Sequence, residues 1–272
     1  MNFFITKLWT DEEIGGRLYL QACKLDVNGF LSNSEKDDFF DKLFAVMHKI
    51  TAMKYHLDNY QIIEKKIYSI ARQKFKKDSK QSIEAFELIF ELESFLFQLK
   101  SSLDMLVKLL IPIIGKGIVG TQTFGDKGNK VIKGLEKLKS KKDVNVKAIN
   151  DLITLIRDDK DSWLENVINI RDNLNHVKGL RNYEFIPVKL PNGDIIPQKP
   201  EFLEIQTVPF MKLVYSNNLE FSQDFMSFSL ALRLPPGLFL IEADSTKCQE
   251  EFNHKAARFI KYVWGANFQT SG

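Results

Sequence analysis

Cysteine, histidine and long apolar runs are all scarce in this chain, and each scarcity closes off a class of function. The two cysteines, Cys23 and Cys248, stand near opposite ends of 272 residues with no CxxC and no Cys/His ligand spacing. They read as reduced structural thiols, so a disulfide-stapled secreted domain, a zinc ribbon and a redox pair are not expected, and no metal or cofactor is implied. The longest apolar stretch, Met105 to Ile114, is interrupted by Lys108 and Pro112 and falls well short of the ~20 residues that cross a bilayer. The opening MNFFITKLWTDEEIGG turns acidic within a dozen residues, unlike a secretory leader. A cytoplasmic protein without a membrane segment is the expectation. An excess of one charge is lacking too: 38 Lys and Arg against 35 Asp and Glu leave +3, too little to argue nucleic-acid binding from the sum. What is present is apolar material, 44% of the residues, enough for one large core or two modest ones.

Helical spacing dominates the first two thirds. From Ser34 to Lys77 the series Phe39/Phe40, Leu43/Phe44, Met47, Ile50 predicts a long helix, with Asn33 or Ser34 as its cap and the His56 to Asn59 stretch as the place where it would break. A second helix is predicted over about Gln81 to Leu110, its stripe formed by Leu92, Leu96, Leu99, Leu103, Leu106 and Leu110, with Pro112 near its end. The segment GKGIVGTQTFGDKGNK is a loop. Its Gly115, Gly117 and Gly120 match GxGxxG, but a helix precedes them and more loop follows, so the dinucleotide-binding reading fails on context. Three more helices are predicted over Asn129 to Leu138, Val146 to Arg157 and Asp161 to Val177.

After Gly179 the texture changes. Asn192-Gly193 between two apolar runs predicts a hairpin within EFIPVKLPNGDIIPQKPEFLEIQTVPFMKLVY, and prolines 187, 191, 197, 200 and 209 confine its strands to edges or bulges. Phe221 to Leu234 fits both periods and is taken as helix; Ser245 to Trp264 reads as a closing amphipathic helix. The architecture expected is mainly α: an antiparallel helical bundle over residues 1–182, a β-hairpin appendage over 183–218 and a C-terminal helical segment over 219–272 that packs on the body in a single compact unit.

Four histidines, at 48, 56, 176 and 254, are the candidate acids and bases near neutral pH. His48, His56 and His254 have no carboxylate pattern beside them and read as surface or core-edge residues. His176 ends SWLENVINIRDNLNH, where Arg171, Asp172, Asn173, Asn175 and His176 crowd into six positions. On a wheel of ~100° per residue, Trp163, Val167, Ile170, Leu174 and Val177 form the apolar seam, while Arg171, Asp172, Asn175 and His176 share an arc away from it. Leu164 and Ile168 fall in or beside that arc, so the polar face is read as covered by another helix or another subunit. The plain alternative is a solvated face with Asp172 and His176 as an ordinary i,i+4 pair.

Arg171, a polar residue next to it, and His176 after four intervening positions late in a helical body resemble the motif of the HEPN superfamily. ELESFLFQLKSSLDMLVKLL similarly resembles the long second helix of prokaryotic HEPN proteins. The resemblance covers roughly Ser34 to Leu180. It implies a metal-independent endoribonuclease acting as a homodimer, with the two motifs meeting across the interface, in phage defence, toxin–antitoxin or stress biology, where an antitoxin or defence partner is expected. Carried over residue by residue, Arg171 would hold the scissile phosphate, His176 would exchange protons, and Asp172 or Asn175 would orient the imidazole. The Tyr that marks one toxin branch two residues after the His is Lys178 here, which argues against that branch. A catalytically silent module binding nucleotide, RNA or a protein partner, and a helical interaction scaffold, are the two readings beside it.

Two further features bear on an RNA partner. Glu93, Phe97, Lys100 and Asp104 share a stripe of the second helix beside Phe86 and Phe90; Glu93 or Asp104 would support Arg171, or Lys100 and Asp104 form a plain surface pair. Eight lysines lie between Lys127 and Lys147 against Glu136 and Asp143, among them Lys130, Lys133, Lys137 and Lys141. Such a patch steers phosphates non-specifically, or is simply a solvated face.

Overall fold

A computed structural model describes residues 11–26, 29–77, 80–115, 120–141, 144–176, 183–201, 206–235 and 237–266, with the backbone alone for 173–176. Its elements in chain order are α1 (Glu12–Ile14, continued by a π-helical stretch Gly15–Leu20 and by Gln21–Asp26), α2 (Asn33–Phe75), β1 (Ile83–Glu84) and α3 (Phe86–Ile114). There follow α4 (Asn129–Leu138), α5 (Val146–Asp159), a π-helical stretch Lys160–Leu164, α6 (Glu165–His176), β2 (Glu184–Lys189) and β3 (Ile195–Gln198). The last elements are α7 (Thr207–Ala231), β4 (Leu238–Glu242), α8 (Ser245–Phe252), a 3₁₀ turn Lys255–Phe259, and β5 (Tyr262–Ala266). The fold is mainly helical with small antiparallel sheets.

The long helices follow their apolar spacing. All six leucines of the α3 stripe are buried, and α2 buries Phe39, Leu43, Met47, Ile50, Met53, Tyr60 and Phe75 on one side. α2 runs through His56 to Asn59 without the expected break. Its cap is Ser32 and not Asn33 or Ser34: the backbone N–H of Ser32 donates to Glu35 Oε2 at 2.9 Å while Glu35 N–H donates to Ser32 Oγ at 3.4 Å, a reciprocal capping box. α3 begins later than Gln81, because Ile83 and Glu84 are spent on pairing with β2. Gly115, at φ 91°, closes α3 by donating to the Ile111 carbonyl at 2.9 Å.

The hairpin is present, with a three-residue loop. Leu190 N–H donates to Asp194 O at 2.8 Å and Gly193 N–H to Leu190 O at 2.9 Å, which leaves Pro191-Asn192 as the turn and Gly193 at φ 87°. Counting alternately from the Leu190/Asp194 pair, Pro187 and Pro197 face each other at a non-hydrogen-bonded position, where neither needs an N–H. β2 is therefore the middle strand of the order β1-β2-β3 and not an edge, since β1 pairs only with Glu184 and Phe185 and stops short of Pro187.

Two stretches depart from expectation. The appendage predicted to end at residue 218 contains the first half of α7: Pro209 sits in the first turn, where the helix has no use for its missing N–H. The predicted closing helix from Ser245 to Trp264 is instead α8, the 3₁₀ turn and β5, which pairs with β4 from Leu238↔Ala266 to Glu242↔Tyr262. The chain divides into two compact units. One comprises residues 1–51, 99–165 and 217–272; the other comprises 52–98 and 166–216.

Candidate functional site

The motif helix α6 belongs to the second unit apart from its first residue. Leu164, Val167 and Ile168 are buried around its start, whereas Ile170 is only partly covered. Burial here takes in Trp163 and Val167 of the expected seam as well as Leu164 and Ile168 beside the arc that carries Arg171. Arg171 is half-buried and Asp172 more open. Arg171 Nη1 donates to Asp172 Oδ1 at 2.6 Å, and the guanidinium carbon lies 5.4 Å from the centroid of the Phe97 ring on α3. A weakly hydrated guanidinium suits this place, with one nitrogen on a carboxylate and an aromatic ring within cation–π reach. Its Nε is buried with no hydrogen-bond partner among the described residues.

Asp172 therefore serves Arg171. The side chains of Asn175 and His176 lie outside the described residues, although the backbone of α6 reaches His176. Glu93 is half-buried on α3 and makes no ion pair or hydrogen bond among the described residues. Asp104 does not support Arg171: it accepts from Lys100 Nζ at 2.5 Å and from the backbone N–H of Phe124 at 2.7 Å, tying down the end of the loop after α3. Phe86, Phe90 and Phe97 are exposed along one side of α3.

In the first unit, α4 buries Val131, Ile132, Leu135 and Leu138 and turns Lys130, Lys133 and Lys137 outward, with Lys141 exposed just beyond its end. Three neighbouring lysines are occupied: Lys127 on Glu165 at 2.5 Å, Lys139 on Glu136 at 2.6 Å and Lys147 on Asp151 at 2.7 Å. The stripe is a solvated helix face carrying positive charge.

The structure also holds polar groupings that the sequence did not disclose. His56, expected to lack a carboxylate, meets Glu91 of α3 with Nδ1 2.7 Å from Oε2. His48 is exposed, and His254 Nδ1 accepts from Ala256 N–H at 3.0 Å, capping the 3₁₀ turn. In the second unit the buried hydroxyls of Tyr60 and Tyr183 bond to each other, and Tyr183 Oη lies 2.9 Å from Thr207 Oγ1. Burial pushes both phenols up from their usual range, so they stay neutral. Beside them Lys199 Nζ contacts buried Glu64 at 2.6 Å, at a cavity of about 320 Å³ reached also by Gln198, Gln206 and Thr207. Spacing cannot reveal such a cluster, since its members come from α2, the segment before β2, the end of β3 and the start of α7.

Among the described residues no group of three or more His, Cys, Asp or Glu is placed to hold a metal ion, and no helix is long and apolar enough to cross a membrane. No protein-family model matches the chain, and no curated protein or solved structure matches it.

Proposed function

We propose that this protein is a metal-independent endoribonuclease of the HEPN type, built on a HEPN-like helical bundle and acting as a homodimer. The observation that supports the reading is the immobilised cation at the motif: the guanidinium of Arg171, held by Asp172 and within cation–π reach of Phe97, sits on the helix that ends at His176. RNA cleavage of this kind forms a bond from the 2′-oxygen to phosphorus and breaks the bond to the 5′-oxygen. It needs a base for the 2′-hydroxyl, an acid for the leaving 5′-oxygen and a cation for the charge on the pentacoordinate phosphate. Arg171 has donors left over after Asp172 to meet a phosphate, and its fixed position lowers the reorganisation needed as charge develops. His176 is assigned the proton transfers, and the products carry 2′,3′-cyclic phosphate ends.

The test is cleavage of a defined RNA by the full chain in EDTA, beside the same RNA carrying a 2′-deoxy sugar at the cleaved position. Arg171→Ala and His176→Ala, each checked for an unchanged thermal melt, should lower the rate by at least about 100-fold. Full activity in either variant, or equal cleavage of the deoxy substrate, overturns the assignment.

A further inference from the structure

We propose that the outer face of α2 and α3 in the second unit binds single-stranded RNA, with bases stacked on its exposed aromatic rings and phosphates met by cations at its two ends. The inference rests on the ribonuclease reading for the substrate and adds where, and in what form, that substrate is held. A folded domain seldom exposes many large apolar side chains together without a partner. Here Tyr55 and Ile62 of α2 are 62% and 65% exposed, and Phe86, Phe90 and Phe97 of α3 are 54%, 63% and 43% exposed. They follow helical steps, seven between Tyr55 and Ile62 and four then seven along the phenylalanines, so each helix gathers its set on one stripe.

The two stripes lie side by side. His56 of α2 meets Glu91 of α3, and one turn on Tyr60 bonds to Tyr183, whose carbonyl accepts from Ala85 N–H at 3.0 Å, so the helices run antiparallel. Tyr55 and Phe90 each precede one member of the His56–Glu91 pair, and equivalent positions of antiparallel neighbours emerge on the same face. Phe97 carries that face to Arg171, whose guanidinium carbon is 5.4 Å from its ring centroid. Past Ile62 the α2 stripe continues in the same steps through Lys66 and Gln73, with Lys76 and Lys77 just beyond the helix end. From Lys65 to Lys80 there are seven Lys or Arg against Asp78 alone. Lys65, Lys66, Arg72, Lys74, Lys76 and Lys77 are exposed and make no ion pair among the described residues.

Charge selects the occupant. Glu87 and Glu93 flank the phenylalanines, so the middle of the face suits uncharged base rings, and phosphates fall to Lys66, Lys76 and Lys77 at one end and to Arg171 at the other. Along α3, Phe86 and Phe90 are about 6 Å apart and Phe90 and Phe97 about 10 Å, room for each ring to take its own base. A duplex keeps its base faces stacked inside and gains nothing from the rings. A second copy of this chain would set cationic end against cationic end in either two-fold arrangement, whereas a polyanion neutralises both.

The probe is an unstructured RNA of about 12 nucleotides with 2′-O-methyl sugars, which cannot be cleaved by 2′-oxygen attack, and its blunt duplex is the comparison. Fluorescence anisotropy on the full chain should show saturable binding of the single strand and at least about tenfold weaker binding of the duplex. Phe90→Ala and Tyr55→Ala, which leave the thermal melt unchanged because both side chains are exposed, should each weaken the single strand about tenfold, and Phe90→Trp should keep native affinity. Lys66→Gln combined with Lys77→Gln should lower the slope of log affinity against log salt by about 1.4. Native affinity in either alanine variant, or equal binding of the duplex, overturns the proposal. So does a shift from dimer to monomer in those variants with RNA affinity kept, which gives the face to a second copy. Binding as expected without cleavage of the unmethylated RNA overturns the ribonuclease reading alone, and cleavage that Phe90→Ala and Tyr55→Ala leave unchanged overturns this proposal alone.

Discussion

Gln21 offers the sharpest test of how the first unit is held together. It is fully buried on α1, yet its amide serves the start of β5: Oε1 accepts from the backbone N–H groups of Lys261 at 2.6 Å and Tyr262 at 3.0 Å, and Nε2 donates to the Tyr262 carbonyl at 2.8 Å. Gln223 Nε2 adds a contact at 3.3 Å to the same oxygen. β5 pairs with β4 along one edge only, so this side chain takes the place of a third strand at the other edge. Gln21→Leu keeps volume and burial while removing all four bonds. Each is worth roughly 0.5–1.5 kcal/mol net, and the orphaned backbone groups add to the loss where water cannot reach them. Lys261 and Tyr262 are only half-buried, which places the total near the middle of the range for four such bonds, about 4 kcal/mol. Urea unfolding should show that loss. Hydrogen exchange should localise it, with the amides of Lys261 and Tyr262 exchanging about 100-fold faster and the cap of α2 little changed. A loss under about 0.5 kcal/mol with native protection at those two amides would refute the reasoning.

Ser32→Ala removes the capping box of α2 and should cost about 1 kcal/mol in a thermal melt. Its partner Glu35 has a carboxyl held below the usual range, first by the Ser32 N–H and hydroxyl. That contribution is present above the ordinary glutamate value and lost as pH falls through the lowered one, so the difference between Ser32→Ala and native protein should shrink in acid. Asp159 behaves oppositely. Burial raises its carboxyl, so the folded state keeps the proton longer than the unfolded chain and stability falls as pH rises from the ordinary aspartate value through the raised one. Asp159→Asn can still accept from Trp163 Nε1, the 2.6 Å bond of the native residue, and should melt higher than native protein at pH 8 with the gain vanishing below about pH 4. Tyr183→Phe takes the central hydroxyl from between Tyr60 and Thr207 and should cost about 1–3 kcal/mol by urea unfolding; an unchanged midpoint would show that the chain of hydroxyls carries no stability.

What could be read in advance was whatever repeats along the chain. The α3 leucine stripe and the Lys130, Lys133, Lys137 face of α4 follow from period alone, and Asn192-Gly193 marked the hairpin. The start of α7 was hidden because Thr207 and Val208 are strand formers and Pro209 looks like a breaker, whereas the first helical turn tolerates both. β5 was hidden for a different reason. Tyr262, Val263 and Trp264 extend a plausible amphipathic pattern from α8, and what makes them a strand is β4 on one edge and Gln21 on the other. His56 and Glu91, and Arg171 and Phe97, are likewise pairs joined by tertiary packing, which no local spacing encodes.

Arg171 and the lysines of α4 carry the same charge and differ in what holds it. Lys130, Lys133 and Lys137 extend into solvent on flexible stems, so their attraction for a polyanion is diffuse and falls with salt. The Arg171 guanidinium has given up part of that freedom to Asp172 and to the Phe97 ring, on a helix that buries Val167 and Ile168. A lysine there would bring a more strongly hydrated charge into a half-buried place. Attraction can be supplied by any exposed cation, but stabilising charge that develops at one atom during a reaction requires a cation already in position. On the proposed chemistry, the lysine stripe would concentrate RNA near the protein, and the bond-breaking step would depend on Arg171.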